Sequence, residues 1–154
     1  MVLRDGRPCH VRPIRPDDAT RLVEFHSKLS AETIYFRFFA PYPELSDRDV
    51  ARFVNVDYSD RVALVATEAG ELIAVARFDR LDSRDAEVAF VVRDDHQSRG
   101  LGAVLLEHLA AAAWETGVRR FVAEVLPNNR RMLGTFREAG YVVSQRREDG
   151  VLHL

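Results

Sequence analysis

The chain has 154 residues, of which 47% are hydrophobic and 30% charged, and its formal net charge is -2. These values suit one globular domain with one sizeable core, and the slightly negative charge excludes a general electrostatic attraction to nucleic acid. Cys9 is the only cysteine, which excludes an intramolecular disulfide and favours a reducing compartment. No apolar stretch approaches the ~20 residues of a membrane-spanning helix, and the N-terminus has no apolar signal core, so we expect a cytoplasmic protein with no membrane partner.

The first part of the chain predicts a strand followed by a helix. Residues 10–14 alternate like a strand. Pro16, Asp17 and Asp18 then indicate a helix start, because an aspartate can accept hydrogen bonds from the unpaired N–H groups there. The predicted inner face of this helix consists of Leu22, Phe25, His26 and Leu29.

An aromatic segment follows at residues 30–39 and ends at residues 41–43, Pro-Tyr-Pro. Residues 46–49 resemble a capping box for another helix, whose inner residues would be Val50, Phe53 and Val54. Two short helices joined by an aromatic loop would form the wall of a substrate cleft. The alternative is a separate hydrophobic cluster that binds no ligand.

The middle of the chain predicts an antiparallel meander. Residues 61–67 and 72–78 are strands joined by a hairpin turn at Ala69-Gly70, and a second turn at residues 81–85 leads to strand 87–92. A helix then runs to Thr116, with Gly117 as its C-terminal stop. The buried side of this helix is predicted to contain Leu101, Val104, Leu105, Leu109 and Ala112.

The last part of the chain predicts a strand, a helix and a hairpin. Strand 121–126 should lie parallel to strand 87–92, because a helix separates them and the crossover is right-handed. A helix capped within residues 127–129 runs to Ala139, and a turn at residues 148–150 joins strand 141–147 to a strand beginning at Val151. Because this final strand stops after four residues, we expect residues 1–154 to be a single domain taken from a longer chain.

A glycine-rich turn joins strand 87–92 to the helix after it. Glycine lets the backbone approach a ligand, and the N–H groups of a first helical turn, with the positive end of the helix dipole, favour a phosphate group. The turn is not a P-loop, since no Gly-Lys-Ser/Thr follows, and it lacks the third glycine of the dinucleotide fingerprint. The alternative is a tight strand–helix turn with no ligand.

The spacing Gln-x-x-Gly-x-Gly in this turn resembles the acetyl-CoA pyrophosphate loop of the GNAT acetyltransferases, and the order of elements is similar from about Val11 to the end. The resemblance implies a mixed α/β fold whose sheet is mostly antiparallel, with one splayed parallel pair, strands 87–92 and 121–126. Acetyl-CoA would lie between them as the cosubstrate, with its pantetheine arm on the backbone of Phe90, Val91 and Val92. The N–H groups that would hold its pyrophosphate are those of Gln97, Ser98, Arg99, Gly100, Leu101, Gly102 and Ala103.

Two later positions also bear on the resemblance. Asn129 matches an asparagine that the family has shortly after the second strand of the pair. Seven residues later many members carry a tyrosine that protonates the departing CoA thiolate, whereas this chain has Phe136, which has no proton to give. Either another residue is the acid or the thiolate leaves unprotonated, which a thiol pKa of about 8.5 allows.

Within the family the chain is most similar to the bacterial protein-lysine acetyltransferases of the Pat type, in residues 33–39, 56–58, 86–90 and 128–133. This resemblance implies that the acceptor is an exposed lysine of a protein, for example an acyl-CoA synthetase. One alternative is a small-molecule amine N-acetyltransferase, which needs a closed acceptor pocket rather than an open groove. Another is a non-catalytic acyl-CoA-sensing regulatory domain, which would bind acetyl-CoA without turnover.

Glu87 is the candidate general base. A lysine has a pKa of about 10.4, so roughly one amine in a thousand is neutral at pH 7, and the neutral form is the one that attacks a thioester. Pat-like members of the family use a glutamate on this strand, and an apolar setting would raise its pKa. Alternatively, Glu87 is an exposed carboxylate paired with an arginine such as Arg77, and a register slip of one residue would turn it to the other face.

Other reactive side chains are assigned no role. The histidines have no metal-ligand spacing, so no metal is predicted. Cys9 lies far from the glycine-rich turn and has no paired base in the sequence, so an acetyl-cysteine route is not expected.

Overall fold

The computed structural model describes residues 9–38, 45–93, 101–125, 146–148 and 151–153. In these residues the chain forms two sheets and the helices that cover the larger one. The elements, in chain order, are β1 (His10–Pro13), a 3-10 turn (Pro16–Asp18), α1 (Ala19–Ser27), α2 (Ala31–Phe38), α3 (Asp47–Val54), β2 (Arg61–Glu68), β3 (Glu71–Arg80), β4 (Asp85–Val92), α4 (Leu101–Glu115), β5 (Arg120–Val122), β6 (Glu124–Val125), β7 (Arg146–Glu148) and β8 (Val151–His153).

The larger sheet has five strands in the order β1-β2-β3-β4-β5. Neighbouring strands are antiparallel except β4 and β5, which are parallel and are connected through α4. Ala69 and Gly70 join β2 to β3 with φ angles of 52° and 81°, as a two-residue type I′ hairpin requires. The predicted meander, its turn, the parallel crossover and the mixed α/β fold are therefore confirmed.

The second sheet has three strands in the order β6-β8-β7. Glu148 of β7 lies opposite Val151 of β8, which confirms a hairpin at this place. The prediction of one continuous strand at residues 121–126 is wrong, because β5 ends at Val122 and β6 pairs with β8 instead of β4. The chain changes its hydrogen-bonding partner where the two sheets separate.

Helices cover both faces of the larger sheet. On one face α4 packs against alternate residues of the strands and shares a hydrophobic core with Phe78, Val88, Phe90 and Val92. On the other face α1, α2 and α3 pack with a second set of residues, which includes Phe25, Phe53, Val75 and Val91. Because side chains alternate along a strand, β4 contributes residues 86, 88, 90 and 92 to the α4 face and residues 87, 89 and 91 to the other.

The aromatic segment is helical, so the prediction of a loop there is wrong. Residues 31–38 form α2, and the Thr33 N–H donates to Ser30 Oγ at 3.1 Å, which is the bond of an N-terminal cap. The predicted cap of α3 is confirmed, since the Asp49 N–H donates to Ser46 Oγ at 3.1 Å. The predicted inner residues of α3, Val50, Phe53 and Val54, are all buried.

The start of α1 differs in detail from the prediction. A 3-10 turn precedes it, and the Asp18 carboxylate accepts from the Arg15 N–H at 2.8 Å and from arginine side chains, not from the first N–H groups of α1. The reason is that Arg12 brings a guanidinium group to Asp18 from the neighbouring strand. The predicted inner face of α1, Leu22, Phe25, His26 and Leu29, is confirmed as buried.

The buried side of α4 was predicted only in part. Leu101, Leu105 and Leu109 are buried as expected. Val104 and Ala112, which were also expected to be buried, are half-buried, and Leu106 and Ala113 are buried instead. Apolar residues surround most of this helix, so polarity alone does not identify the face toward the sheet. Gly117 ends the helix with a φ of 91°, and the Val118 N–H donates to the Ala113 carbonyl at 3.0 Å, as in a glycine C-cap.

Some predicted elements fall on other parts of the chain. The helix ending at Ala139 and residues 141–145 of the next strand lie outside the described residues. Among the helices that are described, none is long and apolar enough to cross a bilayer.

Candidate functional site

The parallel strands β4 and β5 are paired only at the beginning of β4. Their register covers Asp85 opposite Arg120, Ala86 opposite Phe121 and Glu87 opposite Val122. On its other side β4 stays paired with β3 as far as Val92. After β5 the chain enters β6 of the second sheet, so beside residues 88–92 the two strands belong to different sheets. The predicted splayed pair is therefore present.

Side-chain and backbone contacts hold the closed end of this splay. Arg120 forms an ion pair with Asp85, with Nε donating to Oδ1 at 3.1 Å. The N–H groups of Arg119 and Arg120 donate to the Arg84 carbonyl at 2.7 and 3.1 Å. The turn before β4 is stabilised in the same region, because Asp82 Oδ1 accepts the N–H groups of residues 84 and 85. The two strands are thus fixed at one end and diverge toward the other.

Six of the predicted cofactor residues lie in the part of the chain that the structure describes. Phe90, Val91 and Val92 form the end of β4; the first and third pack toward α4 and Val91 toward the other face. Leu101, Gly102 and Ala103 form the first turn of α4, in which Leu101 is buried. The remaining predicted residues, Gln97, Ser98, Arg99, Gly100, Asn129 and Phe136, lie outside the described residues.

Glu87 lies at the last paired position of β4 and β5. It is exposed, and it stands opposite Asp79 of β3 on the sheet face away from α4. Its carboxylate interacts electrostatically with Arg37 of α2. Burial lowers the pKa of Arg37, and the negative charges of Asp79 and Glu87 act in the opposite direction. Glu87 is therefore not in the apolar environment that the sequence analysis considered. The ion pair with Arg77, which was the alternative, is not formed.

An arginine cluster that sequence reasoning missed lies on the same face. The guanidinium carbons of three arginines lie over the ring of Phe53, at 4.4 Å for Arg77, 5.1 Å for Arg52 and 6.0 Å for Arg37. Arg61 pairs with Asp79, Nε to Oδ1 at 3.3 Å. The available signal was an arginine in the middle of the apolar strand β3, where an unpaired charge is costly.

Arg37 and Arg77 line a small pocket between β3, β4 and the helices. The space inside it that is open to water is ≈ 30 Å³, room for about two water molecules. Arg77 is only 7% exposed, and burial, followed by the nearby charge of Arg37, lowers the pKa of Arg77 to about 9. Arg77 therefore remains a cation at neutral pH.

No metal centre is evident in the part of the chain that the structure describes. There, no three side chains of histidine, cysteine, aspartate or glutamate come together. Cys9 is buried against the α4 side of the sheet. The absence of a metal remains a prediction from the sequence.

Comparison with known proteins gives consistent matches. The model of the acetyltransferase (GNAT) family matches residues 28–141. The acetyltransferase Pat of Mycolicibacterium smegmatis is 38% identical over 137 residues, which are 86% of this chain and 40% of that protein. The chain thus spans less than half the length of this relative.

Solved structures are also similar. The crystal structure of the GNAT domain of S. lividans PAT superposes with a TM-score of 0.94 at 52% identity. The match covers 99% of this chain and 92% of that one. A cAMP-binding acyltransferase from Mycobacterium smegmatis superposes with a TM-score of 0.69 at 33% identity, and the match covers 99% of this chain and 45% of that one. These matches agree with the fold described above.

Proposed function

Since the chain belongs to the GNAT acetyltransferase family, we propose that it transfers an acetyl group from acetyl-CoA to an amine. The amine attacks the thioester directly, and the acceptor is a lysine side chain of another protein, for example an acyl-CoA synthetase. The observation that carries this proposal is the end of the β4–β5 pairing at Glu87, which leaves a splay of the kind in which the family binds its cosubstrate. The matched Pat relative supports the choice of acceptor.

The described residues fit acetyl-CoA in two places. The backbone of residues 90–92 runs along the open end of the splay, where it can bond a pantetheine arm as a neighbouring strand would. The helix α4 begins at Leu101, and its first N–H groups with the positive end of its dipole suit a pyrophosphate. When bound, acetyl-CoA supplies the activated acetyl group, and the protein positions it beside the acceptor.

Glu87 would remove the proton that makes the acceptor amine unreactive. It lies where β4 and β5 separate, so an amine entering the splay passes its carboxylate. Glu87 is exposed, so its role as the base depends on its position beside the reacting groups and not on burial. Arg37 lies near enough for its charge to interact with Glu87.

The test measures acetyl-CoA hydrolysis and transfer with Glu87→Gln. We expect the turnover number at pH 7 to fall by about 10²- to 10⁴-fold, which is the usual contribution of a general base to the rate. Binding of CoA should be retained. Activity of the variant should keep rising with pH toward the pKa of the amine, because the neutral fraction grows tenfold per pH unit. The control is Glu107→Gln, which removes an exposed carboxylate of α4.

The acceptor is identified by incubating the domain with labelled acetyl-CoA and a lysate of its host, and then by sequencing the labelled peptides. Labelled lysines that depend on Glu87 support the proposal. Binding of acetyl-CoA with no transfer, unchanged by Glu87→Gln, would instead establish an acyl-CoA sensor. Labelling of small amines alone would establish a small-molecule acetyltransferase, which is the second candidate.

A further inference from the structure

Arg77 occupies an unusual position for a charged residue. It stands in the middle of β3, opposite Ala89 of β4, and its side chain points to the face covered by α1, α2 and α3. Arg37 and His26 line the pocket together with Arg77, and its other described lining residues are apolar. The apolar wall includes Leu22, Phe25, Leu29, Phe53, Val75 and Val91.

The guanidinium group of Arg77 has few partners. Within the residues that the structure describes, its five N–H donors make one long hydrogen bond, from Nη2 to the Phe53 carbonyl at 3.4 Å, and the group lies over the Phe53 ring. None of the carboxylates within the described ranges lies within ion-pair distance of it. Asp79, two residues along the same strand, is paired with Arg61. A buried cation with so little compensation is costly unless an anion joins it.

The charge around the pocket also favours an anion. Among the described residues, four guanidinium groups interact here with two carboxylates, Asp79 and Glu87. The guanidinium groups are those of residues 37, 52, 61 and 77. Four positive charges and two negative charges leave a net charge of two positive. The space of ≈ 30 Å³ that is open to water is enough for the two oxygens of a carboxylate. Guanidinium groups bind carboxylates through paired, charge-assisted hydrogen bonds.

We propose that this pocket binds a carboxylate carried by the acceptor, with Arg77 as the residue that receives it. Ala89, opposite Arg77, lies between Glu87 and Val91 on the same face of β4, and alternate residues of a strand are about 7 Å apart. The bound carboxylate would therefore sit beside both the proposed base and the strand that the acetyl donor follows. This inference rests on the proposed function for the identity of the acceptor, but binding of the carboxylate is measurable without any transfer.

The binding test follows thermal unfolding of the 154-residue chain while propionate or propionamide is added at constant ionic strength. Propionate should raise the unfolding midpoint saturably, by about 2 °C or more, and propionamide, which has the same shape without the charge, should not. Arg77→Met should lose the effect. Arg52→Met is the matched control, because it removes an exposed arginine from the same Phe53 ring without altering the pocket lining.

The transfer test compares acceptors that differ by one carboxylate. One arm uses lysine peptides with a neighbouring glutamate or glutamine, and the other uses amino acids and their carboxamides. In one of the two arms, the acceptor with the carboxylate should have a kcat/KM about 10- to 100-fold higher than the acceptor without it. The arm that shows this difference identifies whether the carboxylate comes from a protein or from an amino acid. Arg77→Met should bring the two forms of that acceptor to equal kcat/KM, whereas Arg52→Met should preserve the ratio.

The outcomes separate the two proposals. Saturable propionate binding without acetyl transfer would support the pocket and contradict the proposed function. Transfer with equal rates for both acceptor forms, together with equal effects of propionate and propionamide, would overturn the pocket and leave the transferase standing. The comparison of propionate with propionamide uses the unaltered protein, so it decides the matter even if Arg77→Met fails to fold.

Discussion

Two buried charged residues in this protein, Asp18 and Arg77, are compensated to very different degrees. The Asp18 carboxylate has no exposed surface and accepts hydrogen bonds from Arg12 at 2.7 and 2.8 Å, from the Arg15 N–H at 2.8 Å and from Arg21 at 3.1 Å. These donors satisfy the charge, so Asp18 stabilises the junction of β1 and α1. Arg77, in contrast, makes one long hydrogen bond to the described part of the chain, which is why we assign it a ligand.

Asp18 should make the protein sensitive to acid. Its pKa is lowered to about 2, chiefly by the hydrogen bond from Arg12, so its contribution is fully present above the ordinary value of about 3.9 and is lost as the pH falls toward 2. The loss is about 2 kcal/mol. Urea unfolding at pH 7 and pH 2.5 measures it, and Asp18→Asn should make the two free energies of unfolding more alike.

The control for this prediction is Asp17→Asn, since Asp17 is an exposed neighbour whose ion pair with Arg15 is also exposed. An exposed pair is worth little, so this variant should keep the acid sensitivity of the natural protein. An Asp18→Asn variant with the same difference between the two pH values would show that another carboxylate is responsible.

At the scale of elements, α4 and the turn after it set the position of β5 beside β4. The helix ends at Gly117, whose φ is 91°, and the chain then enters β5 through the Arg84 contacts. An added Cβ at Gly117 would meet no atom within 4 Å, so any cost of a substitution comes from the backbone angle. Only glycine, and asparagine to a lesser extent, adopts this angle readily.

Gly117→Ala should therefore lower the free energy of unfolding by about 1 kcal/mol. Gly117→Asn should cost less, because its side chain tolerates the left-handed region. Chemical denaturation of the three proteins measures both effects. Equal losses for alanine and asparagine would show that the turn does not depend on the backbone angle of this residue.

At the scale of the whole molecule, one sheet of five strands and another of three meet where β4 and β5 separate. Pairing at residues 85–87 and the ion pair of Asp85 with Arg120 hold one end of the splay. The two helical layers hold β4 from both faces, with α4 on one and α1 to α3 on the other. A ligand bound between the sheets would contact both of them, so binding should stabilise the whole fold.

Coenzyme A should consequently raise the unfolding temperature. At about one hundred times its dissociation constant a ligand adds about 2.7 kcal/mol to the free energy of unfolding, which scanning calorimetry detects as a shift of several degrees. Pantetheine, which lacks the pyrophosphate, should give a smaller shift at the same concentration. No shift with coenzyme A would contradict a cosubstrate site between β4 and β5.

The sequence by itself determined the features that depend on local interactions. Among the described residues these include the turn at Ala69-Gly70, the cap at Ser46, the stop at Gly117 and the order of the strands β1 to β5. Each follows from backbone angles or hydrogen bonds within a few residues, which the residue types reveal. The placement of Glu87 and residues 90–92 on one central strand followed from the same order of elements.

Only the tertiary structure decided the features that depend on contacts between distant segments. The division of residues 121–125 between two sheets requires β8, which lies almost thirty positions later in the sequence. The face of α4 that is buried depends on the sheet, because the helix is apolar on most sides. The pocket of Arg37 and Arg77 combines α2 with β3, and no pattern within either segment indicates that they meet at Phe53. Burial and charge pairing are properties of the assembled fold, so the anion pocket became visible only there.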